Sequence, residues 1–295
     1  MKELMVIVSG PLGKRFSSKQ KERFIRFVME YAQMKHLKCT LDAKPLGFGT
    51  CRNLYLGNLK HSKFLLAIPY DTSTKILWPG IRYYPADQKK NLLQESMAKG
   101  LDILLAAAIL ITCYVLTFRM GKAVQLSALA AGALLSGKIL FGWANRNNYS
   151  RNSASIVLAL KCLEHFPSGT IAAAFLDYSC CGLRGYQQLY DYLAQKGLQK
   201  KLLVIDCIAS GEELHLHGEK KLPAAEGFQS HLIHAQEKKS SIWNIFPDCL
   251  LLSGGQQING TTAIFHTRTK KDCQVRLDKM KNVMEFIQRL AEEPM

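Results

Sequence analysis

Two stretches of the chain are apolar almost without interruption, while the rest alternates apolar and polar positions. Residues 100–118 (GLDILLAAAILITCYVLTF) and 124–143 (VQLSALAAGALLSGKILFGW) are joined only by RMGKA. Each run is long enough to cross a hydrocarbon core of about 30 Å. Their charges, Asp102 and Lys138, lie near run ends, where a long side chain reaches the interface. Tyr114, Phe118, Phe141 and Trp143 also lie near the ends, as interfacial aromatics do. The pattern predicts a two-helix transmembrane hairpin. A helical hairpin buried in a soluble core is the alternative that the pattern leaves open.

Outside the hairpin the periodicity switches between helix and strand. Residues 17–36 open on a serine cap and carry Phe24, Ile25, Phe27, Val28 and Tyr31 at helical spacing. Further helices are predicted over 155–165, 185–196 and 275–290. Strands are predicted over 52–57, 63–68, 169–176, 201–208, 248–252 and 262–266. Several strands are apolar on both faces. With helices between them, that predicts an α/β fold: a mainly parallel mixed sheet with helices on both faces, interrupted by the hairpin. The chain divides into 1–99, 100–143 and 144–295, with the first and last parts forming one domain. Sites in such sheets lie at the carboxyl ends of strands. Pro69 to Asp71, Asp177 to Gly182, Asp206 and His266 are therefore the positions of interest.

Composition changes the picture in two respects. The chain has 295 residues with 39 Lys+Arg against 23 Asp+Glu, a net charge of +16. No basic patch with interleaved aromatics accompanies that charge, so nucleic acid is not the expected partner. An anionic leaflet fits it better. Arg82, Lys89, Lys90, Lys99, Arg146 and Arg151 flank the hairpin, against Arg119 and Lys122 in its loop. Both flanks are then cytoplasmic, in a multi-pass cell-membrane protein with two spans. The nine cysteines form no CxxC pair and sit mostly in apolar runs, which reads as reduced, buried thiols. The first ten residues do not read as a secretory signal.

Five segments in order carry a resemblance. They are RNL followed by FLLAIPYDTS, then SRNSASIVLAL, AFLDYSCCGLRGY, LLVIDCIASGEELHLHG and IFHT. Together they resemble the co-catalytic zinc aminopeptidases of metallopeptidase clan MH, a group that includes leucyl-type aminopeptidases, glutaminyl cyclases and the transferrin-receptor ectodomain. The resemblance covers most of 17–293, with the hairpin as an insertion. It implies two zinc ions held by a His, a bridging Asp, a Glu, a second Asp and a last His, with a further Glu as general base.

Carried over residue by residue, that machinery is depleted. The first His falls on Pro69, the bridging Asp on Asn152, the general base on Ser179 and the Glu ligand on Cys180. Asp206 and His266 keep their types, and Asp71 keeps the place that orients the lost His. Proline offers no ligand atom and serine is no base, so no catalytic residue is assigned and no cofactor is expected. Two rescues stay open. Cys180, Asp206 and His266 would make a single zinc site, and Cys180 or Cys181 would act as a nucleophile with His266 as base.

His215 and His217 share one strand face and read as solvated on an edge hairpin; His231 and His234 read as exposed in a loop. The expected function is a membrane-anchored, catalytically inactive aminopeptidase-like module that binds a peptide or membrane protein. The alternative is a membrane metallohydrolase, of peptidase or cyclase type, with a reorganised zinc site.

Overall fold

The computed structural model describes residues 1–292 apart from Phe48, Pro79, Lys221, Ala224 and His234. His234, read from the sequence as exposed, lies outside the described residues. The elements run α1 (Lys2–Ser9), α2 (Ser18–Met34), β1 (Cys39–Leu46), β2 (Gly49–Leu56), β3 (Phe64–Pro69), α3 (Gln88–Thr117), α4 (Lys122–Phe141) and α5 (Ala154–His165). They continue with β4 (Ile171–Leu176), α6 (Arg184–Gln195), β5 (Lys201–Gly211), β6 (Glu213–Gly218), β7 (Phe228–Leu232), α7 (Ala235–Lys238), β8 (Leu250–Ile258), β9 (Thr261–Ala263) and α8 (Leu277–Glu292).

The sheet order is β1-β2-β4-β3-β5-β8-β6-β7, with β9 paired to β8. The centre, β4-β3-β5-β8, is parallel, and antiparallel neighbours flank it on both sides. Side chains alternate across the central strands. Phe64, Leu66 and Ile68 of β3 join the core under α1, α2, α5 and α8. Leu65 and Ala67 join the opposite core with Tyr186, Leu189 and Leu193 of α6 and with Trp243. The mixed α/β sheet expected from the pattern is what the chain forms.

Local signals explain the elements that position the site. Ser17 and Gln20 cap α2 reciprocally, each side chain accepting from the other's backbone N–H. Asp87 caps α3, its Oδ1 accepting from Lys90 N at 2.9 Å. That cap starts the helix at Gln88, twelve residues before the apolar run, so α3 begins on the domain and continues into the hairpin.

The hairpin is not a buried core. Its most apolar windows are only 11% and 17% buried in α3 and α4. Both helices are long and apolar enough to cross a membrane. They pack on each other: a Cβ at Gly132 would lie 2.9 Å from Cys113 Sγ, and Ser136 Oγ donates to Ala106 O at 3.0 Å. Gly132 and Ser136, both small and buried, thus let α4 pack closely against α3. At its base the hairpin is tied to the domain by Trp78 Nε1 donating to Asp102 Oδ1 at 2.9 Å, and by Lys75 N donating to Trp143 O at 2.7 Å.

Two expectations are corrected here. His215 and His217 are not solvated on an edge: they are 0% and 3% exposed, because β7 pairs outside β6 and takes the edge position. His266 does not end a strand. Strand β9 stops at Ala263, Ile264 bridges to Tyr83, and His266 follows in an exposed turn with φ +61°.

Candidate functional site

The carboxyl ends of β3, β4 and β5 converge on the irregular turn Tyr149–Ser153 that precedes α5. Four non-glycine residues around this point have positive φ: Asn152, Tyr178, Cys207 and Arg268. Backbone held in that sparsely populated region marks a place that the surrounding structure over-determines.

Asp71, just past β3, is 6% exposed, and its Oδ1 accepts the backbone N–H groups of Ser179 and Cys180 at 3.0 Å each. Asn152 donates its Nδ2 to the carbonyl of Asp71, and its buried Oδ1 has no partner. Ser179 Oγ donates to Asp177 O at 3.0 Å. Pro69 ends β3 with its side chain buried. Asp206, at the first bend of β5, accepts the Tyr83 hydroxyl at 2.5 Å and the Cys207 thiol at 3.2 Å. Thus Pro69, Asp71, Asn152, Ser179, Cys180 and Asp206 line one neighbourhood, and His266 lies outside it, on a separate cleft.

Residues with no sequence signal occupy the middle. Arg151, 2% exposed, lays its guanidinium carbon 3.9 Å from the Tyr83 ring centroid and donates to the Cys180 carbonyl. Its φ of −80° and ψ of 123° leave the helical region, and Asn152 follows in the left-handed one. That break turns Arg151 inward. Arg268 closes the opening: Nη1 pairs with Glu95 from α3, and Nε donates to Thr74 O at 2.7 Å. Burial lowers its pKa to about 10. The space left among Tyr83, Glu95, Arg151, Cys181 and Arg268 is about 10 Å³, the size of one water. Arg15, fully buried, braces the same frame from the N-terminal segment, with Nε donating to Tyr70 O at 2.5 Å and Nη2 to Ser153 Oγ at 3.1 Å.

This donor set does not fit a zinc pair. Pro69 offers no atom, Asn152 offers one neutral oxygen where a bridging carboxylate is needed, and Asp206 is engaged by Tyr83 and Cys207. A buried guanidinium stands beside them, where it would repel a dication. Nor does the single-ion arrangement of Cys180, Asp206 and His266 form. Among the described residues no group of three His, Cys, Asp or Glu side chains is placed to hold a metal ion. The thiol–imidazole pair is also absent: Cys181 Sγ has Arg151, Arg268, Glu95 and Cys180 around it, and His266 is exposed elsewhere.

Beside the filled position lies an open cleft of about 580 Å³, lined by Ser210, Glu212, His266, Asp272 and Arg276 among others. Asp272 is 3% exposed; its Oδ1 accepts from Ser150 N at 2.8 Å, and its Oδ2 has no partner. Burial raises its pKa to about 6. Neither Asp272 nor Glu95 belongs to a recognisable motif.

No family model and no curated protein matches the sequence. Solved structures do resemble the fold. Porphyromonas gingivalis glutaminyl cyclase superposes with a TM-score of 0.60 at 12% identity, covering 99% of this chain and 95% of that one. Legionella pneumophila LapA aminopeptidase gives 0.58 at 8% identity, covering 100% and 72%. Acidobacteriales bacterium glutaminyl cyclase gives 0.55 at 13% identity, covering 98% and 92%. The chain has the fold of these glutaminyl cyclases and this aminopeptidase.

Proposed function

We propose that the chain is a membrane-anchored, non-hydrolytic member of this fold that works as a peptide- or protein-binding module. The observation that carries the reading is the plug formed by Arg151, Tyr83 and Asp206. A permanent cation and a phenol fill the place that the chemistry would need for metal and substrate, and about 10 Å³ remains. The cleft of about 580 Å³ next to it is within the usual size range for ligand pockets and would be where a peptide docks.

Anchoring follows from physical need. Leu116, Leu126, Leu134 and Phe141 are 69%, 71%, 78% and 81% exposed on the hairpin, a surface too apolar to leave in water. In this reading the hairpin spans the cell membrane, both flanking parts face the cytoplasm, and the lipid bilayer is one partner. A peptide or membrane protein is the other, and no zinc or other cofactor takes part.

The test is elemental analysis of full-length protein purified in mild detergent without chelator, with aminopeptidase and glutaminyl-cyclase assays on the same sample. Below about 0.1 equivalent of transition metal, with neither activity, is the expected result. Near-stoichiometric zinc that disappears in Asp206→Asn, or turnover of either substrate class, would overturn the reading.

A further inference from the structure

Part of the net charge of +16 gathers at the base of the hairpin, on segments far apart in sequence. Lys75 N donates to Trp143 O at 2.7 Å, which sets that lysine beside the end of the hairpin. Arg146 follows three residues after Trp143. Asn147 Nδ2 donates to Lys270 O at 2.8 Å, and Asn148 Nδ2 to Gly13 O at 2.8 Å, which draws Lys270, Lys271 and Lys14 to the same segment. Lys14, Lys75, Arg146, Lys270 and Lys271 are all exposed. Among the described residues none of the five forms an ion pair. Asp272 is the one acid within 10–16, 73–78, 143–149 and 266–272, and it is 3% exposed. The acids nearby on α3 are engaged: Asp102 pairs with Lys99 at 3.9 Å and accepts from Trp78, and Glu95 pairs with Arg268. The patch is positive and uncompensated.

What borders the patch identifies the anion. Helix α4 ends at Phe141, 81% exposed; Trp143 follows after two residues and Arg146 after five. Apolar, aromatic and basic side chains succeed one another from hairpin to domain, as hydrocarbon, interface and headgroup do in a bilayer. A polyanion dissolved in water has no use for the apolar neighbour, whereas an anionic phospholipid fits both.

We propose that Lys14, Lys75, Arg146, Lys270 and Lys271 bind the phosphate groups of anionic lipids and hold the domain down on one leaflet. This rests on the anchoring proposed above and adds to it the lipid class and the residues that select it. Each base near an anionic surface raises binding about fivefold, and salt screens the attraction. Lys271 also lines the open cleft, so the cleft opens beside the headgroups.

The test uses tryptophan as reporter. Trp78 and Trp143 lie at the hairpin base, and Trp243 is fully buried in the domain. Full-length protein is reconstituted into vesicles that mix phosphatidylglycerol with phosphatidylcholine, one or the other brominated; bromine quenches tryptophan on contact. The expected result is a relative binding constant for phosphatidylglycerol over phosphatidylcholine of about 10 or more, falling toward unity at about 1 M salt, where the screening length is about 3 Å. Lys75→Gln, Arg146→Gln, Lys270→Gln and Lys271→Gln combined, checked for native circular dichroism, should bring it to about 1–2. Arg119→Gln with Lys122→Gln, at the other end of the hairpin, should leave it unchanged. Equal quenching by both lipids, or a preference that persists in the fourfold variant, would overturn the proposal and leave the anchoring standing. No quenching by either lipid would overturn both. RNA binding by the protein in detergent, lost in the fourfold variant and without any lipid preference, would assign the patch to nucleic acid and overturn the proposal.

Discussion

Asp206 brings a carboxylate into the interior at the bend of β5, and two donors hold it, the Tyr83 hydroxyl and the Cys207 thiol. Tyr83→Phe removes the stronger donor and leaves the acid with a weak one. A loss of about 1–3 kcal/mol is expected, read as a lower melting temperature in detergent; an unchanged melt would mean that the plug is not held through Asp206. The imidazoles of β6 and β7 give a second test. His215 Nδ1 lies 2.9 Å from His231 Nε2, and His217 stacks on His231 at 4.8 Å. Burial, with the neighbouring ring as a smaller cause, lowers His215 to about 4 and His217 to about 3. Unfolded histidine titrates near 6.5, so below that the unfolded chain binds more protons. Stability is then full above about pH 6.5 and falls as pH drops toward 4, by at most about 1.4 kcal/mol per pH unit for each ring. Asp272, raised to about 6, and Asp177, raised by burial and by Asp71, work in the opposite sense, two carboxyls against the three lowered rings of His215, His217 and His231. Melts from pH 7.5 to 5 should fall, and less steeply in His217→Gln; a flat wild-type profile would count against a neutral buried cluster. From sequence alone, Asp71, Ser179, Cys180 and Asp206 were legible as neighbours because each follows or ends a predicted strand, whereas Asn152 joined them only through the family resemblance. Arg151 was not: beside a helix start it read as a flank charge, and only the backbone break at Asn152 turns it inward.

At the scale of elements, the hairpin depends on how closely α4 approaches α3. Gly132 faces Cys113 with no room for a side chain, and Ser136 satisfies its hydroxyl on the Ala106 carbonyl. Gly132→Leu should push the helices apart and lower thermal stability in detergent by about 1–3 kcal/mol, the range for overpacking. Leu134→Ala, on the outward face at 78% exposure, should change little. Equal effects would mean that the two helices do not pack as described. The apolar runs announced both helices, and the buried strands β3, β4 and β5 were equally plain. The flanking strands were not. β1 alternates partly buried with exposed positions and carries Pro45, and β7 is short with three of five residues exposed. Pairing with β2 and β6, rather than their own propensity, makes them strands. With β7 missed, β6 looked like an edge, and its histidines therefore looked solvated.

For the whole molecule, the hairpin's place in the chain decides which side of the domain would meet the bilayer under the proposed anchoring. It leaves after β3 and returns before α5, so the filled site and the small space beside Cys181 lie near its base, where Glu95 of α3 closes the wall. The charges at that base also need revising. Arg151 is buried and cannot meet a leaflet, whereas Lys75, Lys270 and Lys271 are exposed near it, Lys270 offering its carbonyl to Asn147. With Lys89, Lys90, Lys99 and Arg146 they keep the domain side more basic than the loop, which has Arg119 and Lys122. The basic side should stay cytoplasmic. A membrane-impermeant maleimide tests this in intact cells. Cys273, exposed on the domain, should label only after lysis. A cysteine at Gly121, where an added side chain meets nothing within 4 Å, should label before lysis. Labelling of both only after lysis would mean that the hairpin does not cross. The reverse order would place the domain outside the cell, and the charge argument would then fail with the topology it predicts.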